Sequence, residues 1–205
     1  KKVKDILDNK ALKTKLEDYQ ISPKEFSTIS VNGNELNMWM IKPTNFDASK
    51  EYPLFMFQYS GPGSQSVSNT WMGSNDYWYQ LLASEGYIIV CVDGRGTGYK
   101  GRDFKKITQK ELGKFEVNDT FEMAIAVAPV TSWRFYDSIY TERYMQTPQE
   151  NASGYDENSP FNYADKLKGA YLLVHGTGDD NVHVQNTMRM IEALVQANKE
   201  FDWAL

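Results

Sequence analysis

The chain has 205 residues, of which 41% are hydrophobic and 24% are charged, a composition typical of one globular domain rather than of a disordered or fibrous chain. Its formal net charge of -5 at pH 7 argues against a nucleic-acid partner, because binding phosphates requires a concentrated basic face. The longest apolar run, residues 87–92, has the length of a strand, so we expect no membrane span.

The N-terminal residues form a polar segment in which apolar side chains recur at roughly helical spacing, at Val3, Ile6, Leu7, Leu12 and Leu16. This spacing predicts a partly amphipathic helix within the first eighteen residues. We assign residues 1–20 to a helical lead-in, or to a linker from an upstream domain. Residues 21–205 are then expected to form the main domain.

A hairpin is predicted next, because residues 25–31 and 35–41 alternate in character on either side of Asn32-Gly33-Asn34. Asn-Gly supplies the positive φ angles that a tight hairpin needs. Residues 53–59 and 87–93 are apolar strands, and residues 78–86 are the helix between them, which predicts a βαβ unit in a mainly parallel sheet. Cys91, the one cysteine of the chain, lies within the second strand and is expected to be a buried structural thiol.

Residues 169–175 form another apolar strand, followed by a loop, a helix over 184–198 and the start of a strand at 201–205. Functional residues of open α/β sheets gather where strands end at their carboxyl edges. We therefore expect them in the loops after Tyr59, Asp93 and His175. His175 itself is expected to form structural hydrogen bonds, and residues 146–160 are expected to form a surface loop.

Two patterns have competing interpretations. Gly96 to Gly101 has the spacing of a dinucleotide-binding turn, but it lacks the surrounding features of that fingerprint and fits a closely packed glycine turn better. Asp179, Asp180 and His183 resemble metal ligands, but no further histidine or cysteine cluster accompanies them. We therefore predict neither a metal nor an organic cofactor.

Six sequence blocks, in the same order, resemble the dipeptidyl peptidase IV group of the prolyl oligopeptidase family of serine peptidases. The blocks are YSGPGSQ at 59–65, DGRGTGY at 93–99, LGKFEV at 112–117, APVTSW at 128–133, YDSIYTERYM at 136–145 and HGTGDDNVH at 175–183. The resemblance implies an α/β-hydrolase fold, a mainly parallel sheet with helices on both faces. It also implies a serine peptidase that cleaves after proline or alanine, with a peptide substrate as its partner.

The resemblance implies two catalytic residues in this chain. Tyr59 matches the tyrosine whose hydroxyl helps to form the oxyanion hole, and the alternative is an ordinary tyrosine at a strand end. Asp179 matches the aspartate of the catalytic triad, which orients a histidine and stabilises its charged form. Asp180, the neighbouring carboxylate, is the rival for this role.

The resemblance also implies a pocket for the proline ring, lined by Val130, Trp133, Tyr136, Tyr140 and Val182. Asn181 matches an asparagine that holds a substrate carbonyl. The alternative interpretation is an aromatic core cluster. Because Trp133, Tyr136 and Tyr140 are three and four residues apart, one helical face could carry all three in either case.

The chain departs from the family in its nucleophile and base. It contains no Gly-x-Ser-x-Gly, and its two histidines do not include one that follows Asp179 after a further helix and strand. The resemblance implies that a helix, a strand and the nucleophile are missing between Thr120 and Phe121, although residues 118–128 pass as one helix by periodicity alone. The chain as it stands is expected to be inactive.

We interpret this departure as an omission from the sequence, including its C-terminal end, rather than as a shortened chain or a non-catalytic relative. The alternative function is a peptide-binding module without chemistry. The resemblance further implies an upstream propeller domain, a location outside the cytoplasm and a homodimer, while a cytoplasmic location stays open.

Overall fold

The computed structural model describes residues 7–70, 74–114 and 123–205. The chain divides into two compact units. The first comprises residues up to Tyr59 together with Gln65–Asp93, and the second comprises Ser60–Ser64 together with the residues from Gly94 onwards. No helix of the described residues is both long enough and apolar enough to cross a bilayer.

The first unit begins with helix α1, Lys10–Glu17, none of whose residues is buried. Its position agrees with the predicted helix, while the role of residues 1–20 as a linker stays a prediction. The hairpin follows: β1, Glu25–Val31, pairs antiparallel with β2, Asn34–Ile41. Asn32 and Gly33 have φ angles of 50° and 74°, as a two-residue turn of this kind requires. The predicted hairpin is confirmed.

The predicted βαβ unit is also confirmed, but the mainly parallel sheet predicted around it is wrong, because two of the three pairings between the described strands of this sheet are antiparallel. Strands β3, Leu54–Phe57, and β4, Ile88–Val92, pair in parallel, and helix α2, Ser74–Ser84, connects them. The strand order of this sheet is β1-β2-β4-β3. Helix α2 begins one turn before the predicted start, with Asp76 in its first turn, where a carboxylate interacts favourably with the helix dipole.

The core of the first unit lies between the sheet and α2. Alternate residues of β2 and β4 face the helix, so that one face of the sheet is covered. The buried members are Trp39, Ile41, Val67, Tyr79, Ala83, Ile89 and Cys91. Burial raises the pKa of the Cys91 thiol to about 12, so the thiol stays protonated at neutral pH. The prediction of a buried structural thiol is confirmed.

The second unit contains a parallel sheet of β5, Met123–Val127, β6, Ala170–Val174, and β7, Asp202–Ala204, in that order. Met123–Val127 form a strand, although periodicity alone also permits a helix over 118–128, because pairing with β6 overrides the local periodicity. The suspected junction between Thr120 and Phe121 lies outside the described residues. Helix α6, Gln185–Gln196, covers one face of this sheet through Leu173, Met190 and Leu194.

The remaining helices of the second unit are short. They are α3, Arg102–Lys106, a 3₁₀ helix at Trp133–Phe135, α4, Ser138–Met145, α5, Ala152–Glu157, and a 3₁₀ segment at Pro160–Lys166. The prediction of a surface loop over 146–160 is wrong at α5, where Tyr155 is only 1% exposed and packs with Leu112 and Met145. A single buried aromatic side chain fixes this helix, and periodicity over six residues cannot reveal it.

Candidate active site

The carboxylate loop, residues 175–184, connects β6 to α6 and carries Asp179. The Oδ1 atom of Asp179 accepts hydrogen bonds from the backbone N–H groups of Asn181 and Val182, both at 2.9 Å. These two bonds lower the pKa of Asp179, because they favour its charged form, and the nearby His175 contributes in the same direction. The loop therefore presents an ionised carboxylate whose orientation is fixed by its own backbone.

We predict that Asp179 titrates below its ordinary pKa of 3.8 in the folded chain. Since its pKa is lowered by folding, the contribution of the carboxylate to loop order is present above pH 3.8 and is lost as pH falls through the lower, folded pKa. Carbon-13 NMR of the carboxyl group measures this midpoint. The same group in urea-unfolded chain is the control, and a folded midpoint at or above the unfolded one would contradict the geometry.

His175, the first residue of this loop, forms a hydrogen bond with Val182 near its other end. Its side chain is fully buried. The Nε2 atom lies 2.6 Å from the carbonyl oxygen of Val182 and Nδ1 lies 2.7 Å from Oγ1 of Thr187. A carbonyl only accepts, so Nε2 donates to Val182, while Nδ1 and the hydroxyl of Thr187 share the second hydrogen bond. The structural role predicted for His175 agrees with these partners.

The aromatic cluster consists of Trp133, Tyr136, Tyr140 and Tyr144. Consecutive ring centroids lie 6.4, 5.5 and 5.0 Å apart, and each pair meets edge to face. The first three residues do not share one helical face, although their spacing allows it. Trp133 lies in the 3₁₀ helix, and a new helix, α4, begins only after Asp137, whose Oδ1 accepts from the N–H of Tyr140 at 2.8 Å.

Tyr144 was missed in the sequence, although its spacing of four residues from Tyr140 on the same helix predicts a contact between the two rings. Two hydrogen bonds fix the position of Trp133. The indole Nε1 donates to the carbonyl oxygen of Asn158 at 3.1 Å, and the backbone N–H of Trp133 donates to Oγ of Ser159 at 3.1 Å. These two partners lie in the segment that was expected to be a loop.

The carboxylate loop and the aromatic cluster adjoin. The hydroxyl of Tyr136 donates to Oδ1 of Asn181 at 3.3 Å. Val182 is buried and Val130 is half-buried, the latter next to the segment that carries Trp133. Seven of the eight predicted site residues thus belong to the second unit: Asp179, Val130, Trp133, Tyr136, Tyr140, Asn181 and Val182. Tyr59 belongs to the first unit, directly after β3, and its side chain is 76% exposed.

Two glycines allow close approaches in the second unit. Gly96 has a φ of +94°, and a Cβ there would overlap Cγ2 of Thr108. This crowding supports the packed-turn interpretation of the segment from Gly96 to Gly101. Gly113 has a φ of +90°, and a Cβ there would lie 2.7 Å from the carbonyl oxygen of Asn158, the acceptor of the Trp133 indole.

We predict that Gly113→Ala lowers the free energy of unfolding by about 2 to 3 kcal/mol, because it adds backbone strain and displaces Asn158. Gly63→Ala is the control, since Gly63 has a φ of +92° but nothing within 4 Å of an added Cβ, and its cost is expected to be about 1 kcal/mol. Urea denaturation measures both variants. Equal losses would contradict the predicted overlap with Asn158.

The model of the prolyl oligopeptidase family matches residues 74–123 and 117–205. The chain belongs to this family. A probable dipeptidyl-aminopeptidase B of Podospora anserina is 40% identical over 230 aligned positions, which include 91% of this chain and 24% of that protein. Another, of Phaeosphaeria nodorum, is 37% identical over 94% of this chain and 26% of its own length. The chain therefore spans about a quarter of the curated relatives it matches.

Solved structures of the same family confirm the predicted α/β-hydrolase fold. Dipeptidyl peptidase 4 of Porphyromonas gingivalis superposes with a TM-score of 0.89 at 44% identity, over 97% of this chain and 34% of that chain. A putative dipeptidyl aminopeptidase IV of Bacteroides ovatus gives a TM-score of 0.83 at 30% identity, over 92% of this chain and 32% of that chain. The recognition of the dipeptidyl peptidase IV group from six sequence blocks is confirmed.

The part of this family member that the structure describes contains no group of three or more His, Cys, Asp and Glu side chains arranged to hold a metal ion. The three residues that resemble metal ligands in the sequence, Asp179, Asp180 and His183, are not grouped around a common point. Asp179 binds backbone N–H groups, Asp180 is exposed, and Nδ1 of His183 accepts from the N–H of Gln185 at 3.2 Å.

Proposed function

We propose that this chain is the catalytic domain of a serine peptidase that cleaves after proline or alanine and releases dipeptides from the N-termini of peptides. The observation that carries the proposal is the hydrogen bond from Tyr136 to Asn181, which joins the aromatic cluster to the loop bearing Asp179. Family membership and the names of the relatives, dipeptidyl-aminopeptidase B and dipeptidyl peptidase 4, support it.

The aromatic cluster suits a proline side chain for a physical reason. A pyrrolidine ring is flat, rigid and apolar, so it buries area against ring edges and faces at little conformational cost. Trp133, Tyr136 and Tyr140 supply such surfaces, and Val130 and Val182 close the same pocket with branched aliphatic groups in this proposal. An alanine side chain fits the pocket but makes fewer contacts, while a larger branched side chain would clash with the aromatic rings.

Each polar residue has a role in the proposed reaction. Asp179 orients the catalytic histidine and stabilises its imidazolium form. Tyr59 donates its hydroxyl to the developing oxyanion, an effect of about 3 kcal/mol for comparable donors. Because Oδ1 of Asn181 accepts from Tyr136, its Nδ2 is the atom that donates to a substrate carbonyl.

The nucleophilic serine and the histidine are proposed to lie in residues that this sequence omits, between Thr120 and Phe121 and after Leu205. Two findings support the first omission. The two family matches overlap at residues 117–123, around that junction. The 230 aligned positions shared with the Podospora protein also exceed the whole length of this 205-residue chain, so the relative carries residues that lack a counterpart here.

The second candidate function is a peptide-binding module that retains the pocket without chemistry. It is favoured by the two histidines of the chain, since His175 is buried with structural partners and Nδ1 of His183 accepts from the backbone N–H of Gln185 at the start of α6. Neither occupies the position that a general base requires after Asp179. The two candidates make opposite predictions for turnover.

The test uses the protein expressed from its complete gene and four chromogenic substrates: Gly-Pro, Gly-Ala and Gly-Leu p-nitroanilides and Gly-Pro p-nitroanilide with an acetylated N-terminus. We expect hydrolysis of the proline substrate, weaker hydrolysis of the alanine substrate, and none of the leucine or blocked substrates. Tight binding of Gly-Pro without hydrolysis would instead support the binding module. Hydrolysis of the leucine substrate at the proline rate would reject the pocket assignment.

We also propose that the protein acts outside the cytoplasm and forms a homodimer, as the resemblance to the dipeptidyl peptidase IV group implies. Light scattering of the purified protein tests the dimer, and the mass of a monomer would reject it. Cell fractionation tests the location, and recovery in the cytoplasmic fraction alone would reject it.

A further inference from the structure

Asn186 lies in the first turn of α6 and has no solvent exposure. Its Oδ1 accepts hydrogen bonds from the backbone N–H groups of Thr131 and Ser132, at 3.1 and 3.2 Å. Its backbone oxygen accepts from the hydroxyl of Thr131 at 2.6 Å. Asn186 is therefore bound, across 55 positions of sequence, to the segment that precedes Trp133.

The other end of the same amide binds two carbonyl oxygens. Its Nδ2 donates to the carbonyl of Phe135 at 3.3 Å and to the carbonyl of His183 at 3.2 Å. An amide oxygen accepts two bonds and an amide nitrogen donates two, so the side chain is fully used. The orientation of the amide is determined as well, because two N–H donors face the oxygen and two carbonyls face the nitrogen.

These contacts join the two halves of the candidate site. Residues 131–135 carry Trp133 and lead directly to Tyr136. His183 lies in the carboxylate loop, which also carries Asp179, Asn181 and Val182. A side chain bound to both segments fixes the distance between them. In the dry interior, loss of one such bond also leaves a buried polar group without a partner, so the segments must shift to satisfy it.

We propose that Asn186 is a positioning residue that holds the aromatic cluster against the carboxylate loop and thereby sets the preference for proline over alanine. This inference rests on the proposed function for its substrate and on the hydrogen bonds of Asn186 for its geometry. Proline gains from contact with the whole cluster, whereas alanine reaches little of it. A shift of the cluster relative to the loop therefore weakens the binding of a proline side chain more than that of an alanine side chain.

Asn186→Asp tests this with almost no change in size. The carboxylate keeps the acceptor that faces Thr131 and Ser132, but it loses both donors and turns a negative oxygen towards the carbonyls of Phe135 and His183. Gln185→Glu is the matched control, since the adjacent side chain is exposed on the same helix and undergoes the same change of amide to carboxylate.

In the active peptidase, Asn186→Asp is expected to raise KM for Gly-Pro p-nitroanilide. It is also expected to lower the ratio of kcat/KM for proline to that for alanine by about tenfold, less than the roughly 10²-fold cost of a full 1 Å misplacement. Gln185→Glu is expected to leave the ratio unchanged. If Asn186 had a purely structural role, its replacement would reduce the amount of folded enzyme. The apparent kcat/KM would then fall by the same factor for the proline and the alanine substrates. An unchanged ratio and KM in Asn186→Asp would therefore overturn the proposal.

Hydrogen exchange on the protein expressed from its complete gene tests the geometry without measuring activity. In Asn186→Asp, faster amide exchange is expected in both segments, at residues 132–135 and at 181–182, while Leu173 in β6 keeps its protection. Faster exchange throughout the unit, or in one segment alone, would overturn the coupling. If wild-type protein hydrolyses no substrate, the proposed function fails, and hydrogen exchange still decides the role of Asn186.

Discussion

Asp179→Asn is expected to lower kcat/KM of the active peptidase for Gly-Pro p-nitroanilide by about 10⁴-fold, the loss typical of removing the charge of a triad aspartate. The replacement keeps the size of the side chain and an oxygen that can accept from Asn181 and Val182. It removes the negative charge that stabilises an imidazolium, and it leaves the partner histidine in the wrong tautomer. Steady-state kinetics measure the loss.

Asp180→Asn is the matched control. Asp180 is adjacent and exposed, and it is the rival carboxylate for the triad position. Its replacement is expected to leave kcat/KM within about twofold of the wild-type value, since exposed charges interact weakly through water. A large loss in Asp180→Asn together with a small one in Asp179→Asn would reverse the assignment.

Leu194→Ala is expected to lower the free energy of unfolding by about 3 kcal/mol. Leu194 is completely buried between α6 and the second sheet, against Leu173 and Met190. Truncation removes buried methyl groups and leaves a cavity, and such changes cost about 2 to 5 kcal/mol. Urea denaturation followed by circular dichroism measures the change.

The adjacent Val195 provides the control for this core, because it lies on the same helix with 58% of its surface exposed. Val195→Ala is expected to change stability by less than about 0.5 kcal/mol. Similar losses in the two variants would mean that α6 does not pack on the sheet through Leu194.

Elements with strong local signals were predictable from the sequence. The hairpin was predicted because Asn32-Gly33 permits one turn type, and β4 and β6 were predicted because five-residue apolar runs are typical of buried parallel strands. Helix α6 was predicted because its apolar residues recur on one face. In each of these segments local pattern and tertiary environment agree.

Elements determined by distant partners were not predictable. The start of α4 after Asp137 depends on one capping bond, and α5 depends on the burial of a single side chain, Tyr155. Periodicity alone did not distinguish strand β5 from part of a helix, since its alternation of small and large residues is explained only by its pairing with β6. Asn186 was missed because three of its partners, Thr131, Ser132 and Phe135, lie more than fifty residues away in sequence.

The candidate site was predicted through resemblance rather than through spacing. Spacing alone did not decide whether Asp179 or Asp180 is the triad carboxylate. It also did not distinguish a ligand pocket from an aromatic core cluster. The backbone bonds to Asp179 and the contact between Tyr136 and Asn181 favour the pocket with Asp179 as its carboxylate. A residue pattern does not contain these bonds, because they depend on the turn of the loop.

The most direct test of the central claim is labelling of the protein isolated from its own cells with a fluorophosphonate, followed by peptide mapping. Our account predicts one labelled serine within Gly-x-Ser-x-Gly, in a peptide that separates Thr120 from Phe121. An unlabelled protein of 23.5 kDa in which Thr120 is bonded directly to Phe121 would contradict it and leave only the binding module.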